Sequence, residues 1–288
     1  MTPGFTALNL SDHEPLPTTS RADRKQETIY DPITGHNVDI TWQPGSFLRE
    51  NGHPTSFNED TAADRRRGFS SSRYRQLAIA VLAESLRGHF DSLAEFAAAK
   101  ASKEMQVWNT EHEEAISEAL RDMRGFVASE YFGQSHTPGT FVKKNGKRVR
   151  HEDLKSTSFK NDTFDLILSS EVFEHVPNPY EAFKEVRRIL KPGGKHIFTV
   201  PFFERNGKDT IFATLEEDGV FRWTGDEKPM HGDSVRPEGI PVFTIFGQEL
   251  ARKLCGLGFH VEVKVVENIP EAGILGEGSI YFVATKDR

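Results

Sequence analysis

FDLILSSEVFEHVPNPYEAFKEVRRILKPGGKHIFTVP, residues 164–201, decides how this chain folds. Asp165 to Ser170 is a short apolar run of strand length. It breaks into a polar cluster, Ser170-Glu171 followed by Glu174-His175. From about Tyr180 to Leu190, the residues Ala182, Phe183, Val186, Ile189 and Leu190 recur at helical spacing and predict one apolar face. Lys191-Pro192-Gly193-Gly194 stops that helix, with proline beyond its end and glycines for the turn. A second apolar strand, Lys195 to Val200, completes a strand–helix–strand unit. Such units build parallel sheets, and ligands bind outside the carboxyl ends of their strands. The polar cluster after Ser170 lies where a ligand would sit.

Working outward, alternation continues on both sides. Met105 to Asn109 is a short strand candidate, and Glu111 to Met123 a helix with Ala115, Ile116, Ala119, Leu120 and Met123 on one face. Gly125 to Ala128 is the next strand, running into Ser129-Glu130, and Arg148 to His151 follows before Glu152-Asp153-Leu154. Near the end come a helix over Gln248 to Leu257 and strands over Phe259 to Val266 and Ser279 to Thr285. Strands alternating with helices and closed by a strand pair imply an α/β doubly wound sheet. Three parts result: residues 1–70, rich in Pro, Thr, Ser, Asp and Arg, are expected to be irregular or partly disordered, with one short ordered piece around Thr41 to Arg49. Residues 71–100 form a helical extension in which Leu77, Val81, Leu82, Leu86 and Phe90 recur at helical spacing. Residues 101–288 form the main domain, with a Gly-, Pro- and charge-rich insertion over 202–247.

Composition removes several function classes. With 288 residues, 36% hydrophobic and 22 Phe, the chain can bury a sizeable core. It has no apolar run long enough for a membrane span, and its first 25 residues lack the apolar stretch of a secretory signal. A single cysteine, Cys255, excludes an internal disulfide and a cysteine zinc cluster, and the expected compartment is a reducing cytoplasm. The net charge of −7 argues against a nucleic-acid partner. Lys143 to Arg150 is the local exception, read as a solvated hairpin or loop rather than a phosphate patch. Histidines such as His53, His89 and His112 have no partner at ligand spacing, so no metal is expected. Hydrolase elbows and phosphate-binding P-loops are absent.

In nucleotide-binding α/β sheets an acidic residue at the end of the second strand accepts ribose hydroxyls about twenty residues beyond the first strand's turn. Glu130 stands 21 positions after Asn109. The strings ASEYFG (128–133), VRHEDL (149–154), FDLILSSEVFEHV (164–176), LKPGGKHIFTVPF (190–202) and HGDSVRPEG (231–239) resemble, in this order, a sub-group of class I S-adenosylmethionine-dependent methyltransferases similar to methyltransferase type 11. The resemblance covers about residues 105–266. It implies a Rossmann-like, mostly parallel seven-stranded sheet with S-adenosylmethionine as cofactor. It also implies that Glu130 binds the ribose, that Asp153 and the backbone beside Leu154 meet the adenine edge, and that Ser170 and Glu171 lie near the methionine part.

The chain departs from the family after the first strand, where most members carry an acidic, glycine-rich loop that lets the backbone approach the cofactor. Here the stretch is Trp108-Asn109-Thr110-Glu111-His112-Glu113-Glu114-Ala115. Asn109 and Glu111 are the cofactor-binding candidates in it, and Glu111 either replaces the acidic contact or favours a helix N-terminus. Methyl transfer from a sulfonium needs mainly proximity and alignment, with a base when the acceptor must lose a proton. His175, and His231 with Asp233 in the insertion, are the base candidates; for His175 a structural role in the FEHVPNP loop is the rival. Arg205 either holds an anionic acceptor or meets a surface carboxylate. The expected activity is methyl transfer to a small-molecule or glycan acceptor, at oxygen. A catalytically silent scaffold on the same fold is the alternative, favoured by the glycine-free turn, whereas the missing glycine loop and the pattern of residues 164–201 both count against a nicotinamide-dependent reductase.

Overall fold

The computed structural model describes residues 27–42, 62–63, 71–84, 89–203, 205–216, 220–232, 236, 238–266, 269–274 and 279–287. Its centre is a sheet of β1 (Val107–Asn109), β2 (Phe126–Glu130), β3 (Phe141–Lys144), β4 (Lys147–His151), β5 (Phe164–Ser170), β6 (Leu190–Thr199), β7 (Phe259–Val266) and β8 (Ser279–Lys286). Their spatial order is β7-β8-β6-β5-β1-β2-β4-β3. The pairs β1·β2, β1·β5, β2·β4 and β5·β6 are parallel; β8 runs antiparallel between β6 and β7, and β3 antiparallel to β4. The expected doubly wound sheet is therefore present, with eight strands rather than seven. The extra strand is half of the basic run: β3 and β4 form a hairpin across Asn145-Gly146, whose φ values of 49° and 79° fit the two-residue turn that Asn-Gly favours.

Each face of the sheet carries its own core. On one face, α1 (Ser72–Ala83), α2 (Leu93–Ala98) and α3 (Ala115–Leu120) bury Leu77, Val81, Leu93, Phe96, Ile116 and Leu120 against Val107, Leu168 and Val283. On the other, α4 (Pro179–Ile189) and α5 (Glu249–Gly256) bury Phe183, Val186, Leu250 and Leu254 against Trp108, Ile167, Phe198 and Phe282. Proline at the first helical position of α4 costs no hydrogen bond, and Asn178 before it adopts φ 58°, a conformation asparagine tolerates better than most residues.

Residues 1–70 are not irregular throughout, which corrects the expectation there. Glu27–Asp31 and His36–Trp42 pair as an antiparallel hairpin, and Ile29, Ile33, Val38 and Ile40 are buried. Beside it lies a buried cation whose charge acts on Asp31 of the hairpin. Arg75 of α1 donates from Nε to the Ala272 carbonyl at 2.7 Å and from Nη2 to the Gly273 carbonyl at 3.2 Å. Burial pushes its pKa down to about 10, with Asp31 opposing. The ordered piece expected around Thr41 to Arg49 keeps only Thr41 and Trp42, at the end of the second hairpin strand; 43–49 lies outside the described residues, as do His53, Leu86 and Asp233.

The insertion over 202–247 folds into three two-stranded ribbons: Thr210–Ile211 with Thr244–Ile245, Ala213–Leu215 with Phe221–Trp223, and Met230–His231 with Ile240–Pro241. Strands of two or three residues are too short to show a sequence period, so the stretch read as patternless. A buried carboxylate fastens it: Asp209 accepts from Tyr180 Oη at 2.5 Å, from the Gly247 amide at 3.0 Å and from Lys253 Nζ at 2.9 Å. The Phe243 amide also donates to the Glu174 carbonyl at 2.7 Å, seating the third ribbon over the end of β5.

Candidate active site

The strand order reverses between β1 and β5, and that crevice is where an open α/β sheet binds ligands. A cleft of about 490 Å³ opens there. Thr110 and Glu111 reach it from the end of β1, Glu130 from β2, Asp153 and Leu154 from β4, and Glu171 from β5; the insertion supplies the opposite wall with Leu215, Phe221, His231 and Pro241. Four strand ends and the insertion thus converge on one volume.

The glycine-free turn after β1 is built by side chains. Asn109 Nδ2 donates to the Glu111 carbonyl at 3.0 Å and to Ser117 Oγ at 2.8 Å, and Ser117 Oγ donates back to the same carbonyl. Glu130 Oε1 accepts from the His112 amide at 3.1 Å, which ties the turn to β2. Trp108 forms the floor, its Nε1 donating to Ser129 Oγ at 2.9 Å. No side chain of the turn closes the cleft, and the Thr110 Oγ1 buried in its lining has no hydrogen-bond partner. Asn109 and Ser170 are themselves buried: Ser170 Oγ pairs with Thr199 Oγ1 at 3.1 Å between β5 and β6. Asp153 Oδ1 accepts from the Lys155 amide at 2.9 Å, which holds the loop after β4. Glu171 sits at φ 53°, left-handed backbone that only a constrained position keeps in a residue of this kind, and its side chain lines the cleft.

Carboxylates dominate the electrostatics. Glu111, Glu114, Glu130 and Glu171 line the cleft, with Arg73, Lys155 and Arg236 among them. Burial raises the Glu111 carboxyl well above its usual range; Glu114 and Glu130 add to this and Arg73 opposes it. Glu111 Oε1 accepts from Tyr74 Oη at 3.1 Å.

At the cleft's far wall, the fold unites residues that the sequence keeps 56 positions apart. His175 Nε2 and His231 Nδ1 lie 3.2 Å from each other. His175 Nδ1 donates to the Pro241 carbonyl at 2.8 Å, so Nε2 of the neutral ring presents its lone pair. Glu174 lies beneath them, fully buried, with Oε1 3.5 Å from His175 Nε2 and 3.8 Å from His231 Nδ1. Burial lifts the Glu174 carboxyl well above its ordinary range, with Glu171 adding to it, and burial lowers the His231 imidazole, with Arg73 adding to that. Both histidine candidates therefore meet in one place. Arg205 does not line the cleft.

Three contributors escaped the sequence. Arg73 and Tyr74 belong to the N-terminal helix, which read as packing alone, and Arg236 lies in the insertion. Glu174 stood in the polar cluster after Ser170, where nothing marked a role of its own.

Residues 130–198 match the family model described as "Methyltransferase domain". Over 74 residues the chain is 32% identical to a ubiquinone biosynthesis O-methyltransferase of Roseobacter denitrificans, which covers 26% of this chain and 29% of that protein. Over 57 residues it is 40% identical to an uncharacterized methyltransferase of Mycobacterium tuberculosis, 20% of this chain and 19% of that one. The matched part is thus under a third of the length of these curated relatives. Among solved structures it is similar to an S-adenosylmethionine-dependent methyltransferase of Mesorhizobium loti, at 16% identity and a TM-score of 0.38, over 64% of this chain and 91% of that one.

Proposed function

We propose that this chain is an S-adenosylmethionine-dependent methyltransferase that lays its cofactor across the ends of β1, β2 and β4 and methylates an oxygen of a small-molecule or glycan acceptor held at the His175–His231 wall, a reading the match to a methyltransferase domain supports. The observation that carries the reading is the open cleft that joins the strand-end acids to the histidine pair. Its volume suits a small-molecule site. A cleft crowded with Glu111, Glu114, Glu130 and Glu171 favours a cationic guest, and the cofactor is a sulfonium with an ammonium group. When bound, it supplies an electrophilic methyl group.

In this reading Glu130 accepts the ribose hydroxyls, Asp153 and Leu154 flank the adenine, Glu111 and Glu171 face the cationic end, and the unpaired Thr110 Oγ1 gains a partner. The third ribbon and Phe221 exclude water from one side of the acceptor. His175 and His231 hold the acceptor's oxygen and its proton. The names of the ubiquinone-related relatives support oxygen as the methylated atom. Among the described residues no helix is long and apolar enough to cross a membrane.

Titration calorimetry with S-adenosylhomocysteine tests the cofactor half. Charged hydrogen bonds contribute about 1.5–3 kcal/mol each, so Glu130→Ala is expected to weaken binding by about 10- to 150-fold. Absence of binding at millimolar ligand removes the enzyme reading and leaves the scaffold. Transfer of labelled methyl to a panel of phenols and glycans tests the acceptor half; labelling at nitrogen only overturns the oxygen assignment.

A further inference from the structure

We infer that Glu174, His175 and His231 form a binding site for one divalent first-row transition ion, and that this ion grips the acceptor's oxygen in the proposed methyl transfer. The inference rests on that reading for its purpose but not for the site itself.

Three atoms define it. The separations among Glu174 Oε1, His175 Nε2 and His231 Nδ1 are 3.2, 3.5 and 3.8 Å. A point equidistant from atoms so spaced lies about 2 Å from each, which is the length of a bond from zinc to imidazole nitrogen or carboxylate oxygen. These three are the described residues' one grouping of histidine, cysteine and carboxylate side chains close enough to share an ion.

Glu174 is the independent sign. It is fully buried, and neither carboxylate oxygen has a hydrogen-bond partner. A buried carboxylate left so is costly unless a cation or several donors satisfy it. The rest of the wall is arranged as ligand support. His175 Nδ1 is fixed on the Pro241 carbonyl, the outer contact by which proteins set the tautomer and ring orientation of a metal-bound histidine. His231 rides on the ribbon paired with Ile240–Pro241, so one short ribbon carries one ligand and orients the other. The Phe243 amide holds the Glu174 carbonyl from the same segment.

Two imidazoles and one carboxylate suit zinc, manganese or iron(II) better than magnesium or calcium, which take oxygen ligands. Three protein ligands leave coordination positions open, and these face the cleft because the His231 side chain is 42% exposed there while Glu174 is closed off beneath. A hydroxyl bound at such a position loses its proton more readily. The step balances simply. The acceptor's O–H proton passes to solvent, the oxygen's electron pair forms the new O–CH3 bond, and the S–CH3 pair stays on sulfur, leaving S-adenosylhomocysteine and a methyl ether. His231 then serves as a ligand and the ion replaces a general base.

The test is calorimetric titration of the full-length, tag-free, chelator-treated protein with ZnCl2 and, separately, MnCl2, with Co2+ absorption spectra in parallel. One ion per chain is expected, with a Co2+ d–d band in the visible. His231→Ala, at a half-open position whose loss spares the core, is expected to weaken binding at least about tenfold and to remove the band; Glu174→Gln should do the same, with circular dichroism confirming its fold. S-adenosylhomocysteine affinity is measured on the metal-free wild type, so cofactor failure and metal failure read out separately. No saturable binding of any of the three ions, or equal affinity in wild type and His231→Ala, overturns the site.

Discussion

Trp108→Ala is expected to lower the unfolding free energy by about 3–5 kcal/mol, the cost of removing a large aromatic from a packed interior. Trp108 is 1% exposed on the central strand β1. Its ring stacks on Phe164 at 5.9 Å and meets the edge of Phe159 at 5.0 Å, and its indole N–H is taken by Ser129 Oγ. Collapse around the gap is limited, since parallel neighbours β2 and β5 fix the strand on both sides. The same ring floors the cleft, so the variant should also lose affinity for S-adenosylhomocysteine. Trp108→Phe separates the two contributions. It keeps most of the apolar volume but strands Ser129 Oγ, for a loss of about 1–3 kcal/mol. Urea unfolding followed by far-ultraviolet dichroism measures both. A Trp108→Ala cost below about 1 kcal/mol would mean the ring is not a structural floor.

How far the chain could be read depended on the length of each signal. The unit from Phe164 to Thr199 was legible because β5, α4 and β6 are long, strongly patterned and joined by turn residues with one meaning. The placement of Glu130 followed from strand spacing and that of Asp153 from the family resemblance, and a parallel sheet aligns the carboxyl ends of both strands. The hairpin over Glu27–Trp42 was lost because its alternation lies within polar, proline-containing sequence, and its Ile29 and Ile40 pack beside the distant Gly273. The ribbons of the insertion were lost because their pairing is non-local and two residues long. For the same reason no spacing rule could join His175 to His231: the ribbon that carries His231 lies across the end of β5, where the Phe243 amide meets the Glu174 carbonyl. The missing glycines after β1 looked like a defect in a binding loop. The structure gives their work to Asn109 and Ser117, whose hydrogen bonds shape the turn and leave the cleft open.

Acid should destabilise this protein well above the range in which carboxylates titrate, because of one residue far from the cleft. His196 on β6 is fully buried, stacked on Phe198 at 4.5 Å, with Nε2 2.9 Å from Ser169 Oγ and Nδ1 without a partner. Burial pushes its pKa down to about 3. The unfolded chain binds a proton there below about pH 6.5, and the native chain does not until about pH 3. Unfolding therefore takes up a proton in that window, and stability falls with falling pH by about 1.4 kcal/mol per unit. Above about pH 6.5 neither state is protonated and the contribution is flat. Burial depresses His112, His151 and His231 in the same direction, whereas the raised carboxyls of Glu111 and Glu174 act oppositely, so the wild-type curve alone mixes them. The paired measurement isolates His196. His196→Phe keeps the stack on Phe198 and removes the titration, so urea unfolding at pH 6.5, 5.5 and 4.5 should give a difference between variant and wild type that grows by about 1.4 kcal/mol per unit as pH drops. Stability curves that stay parallel across those three conditions would show that the His196 ring takes up its proton in the native state, through a hydrated Nδ1 that the packing of Phe173 and Phe183 around it does not allow.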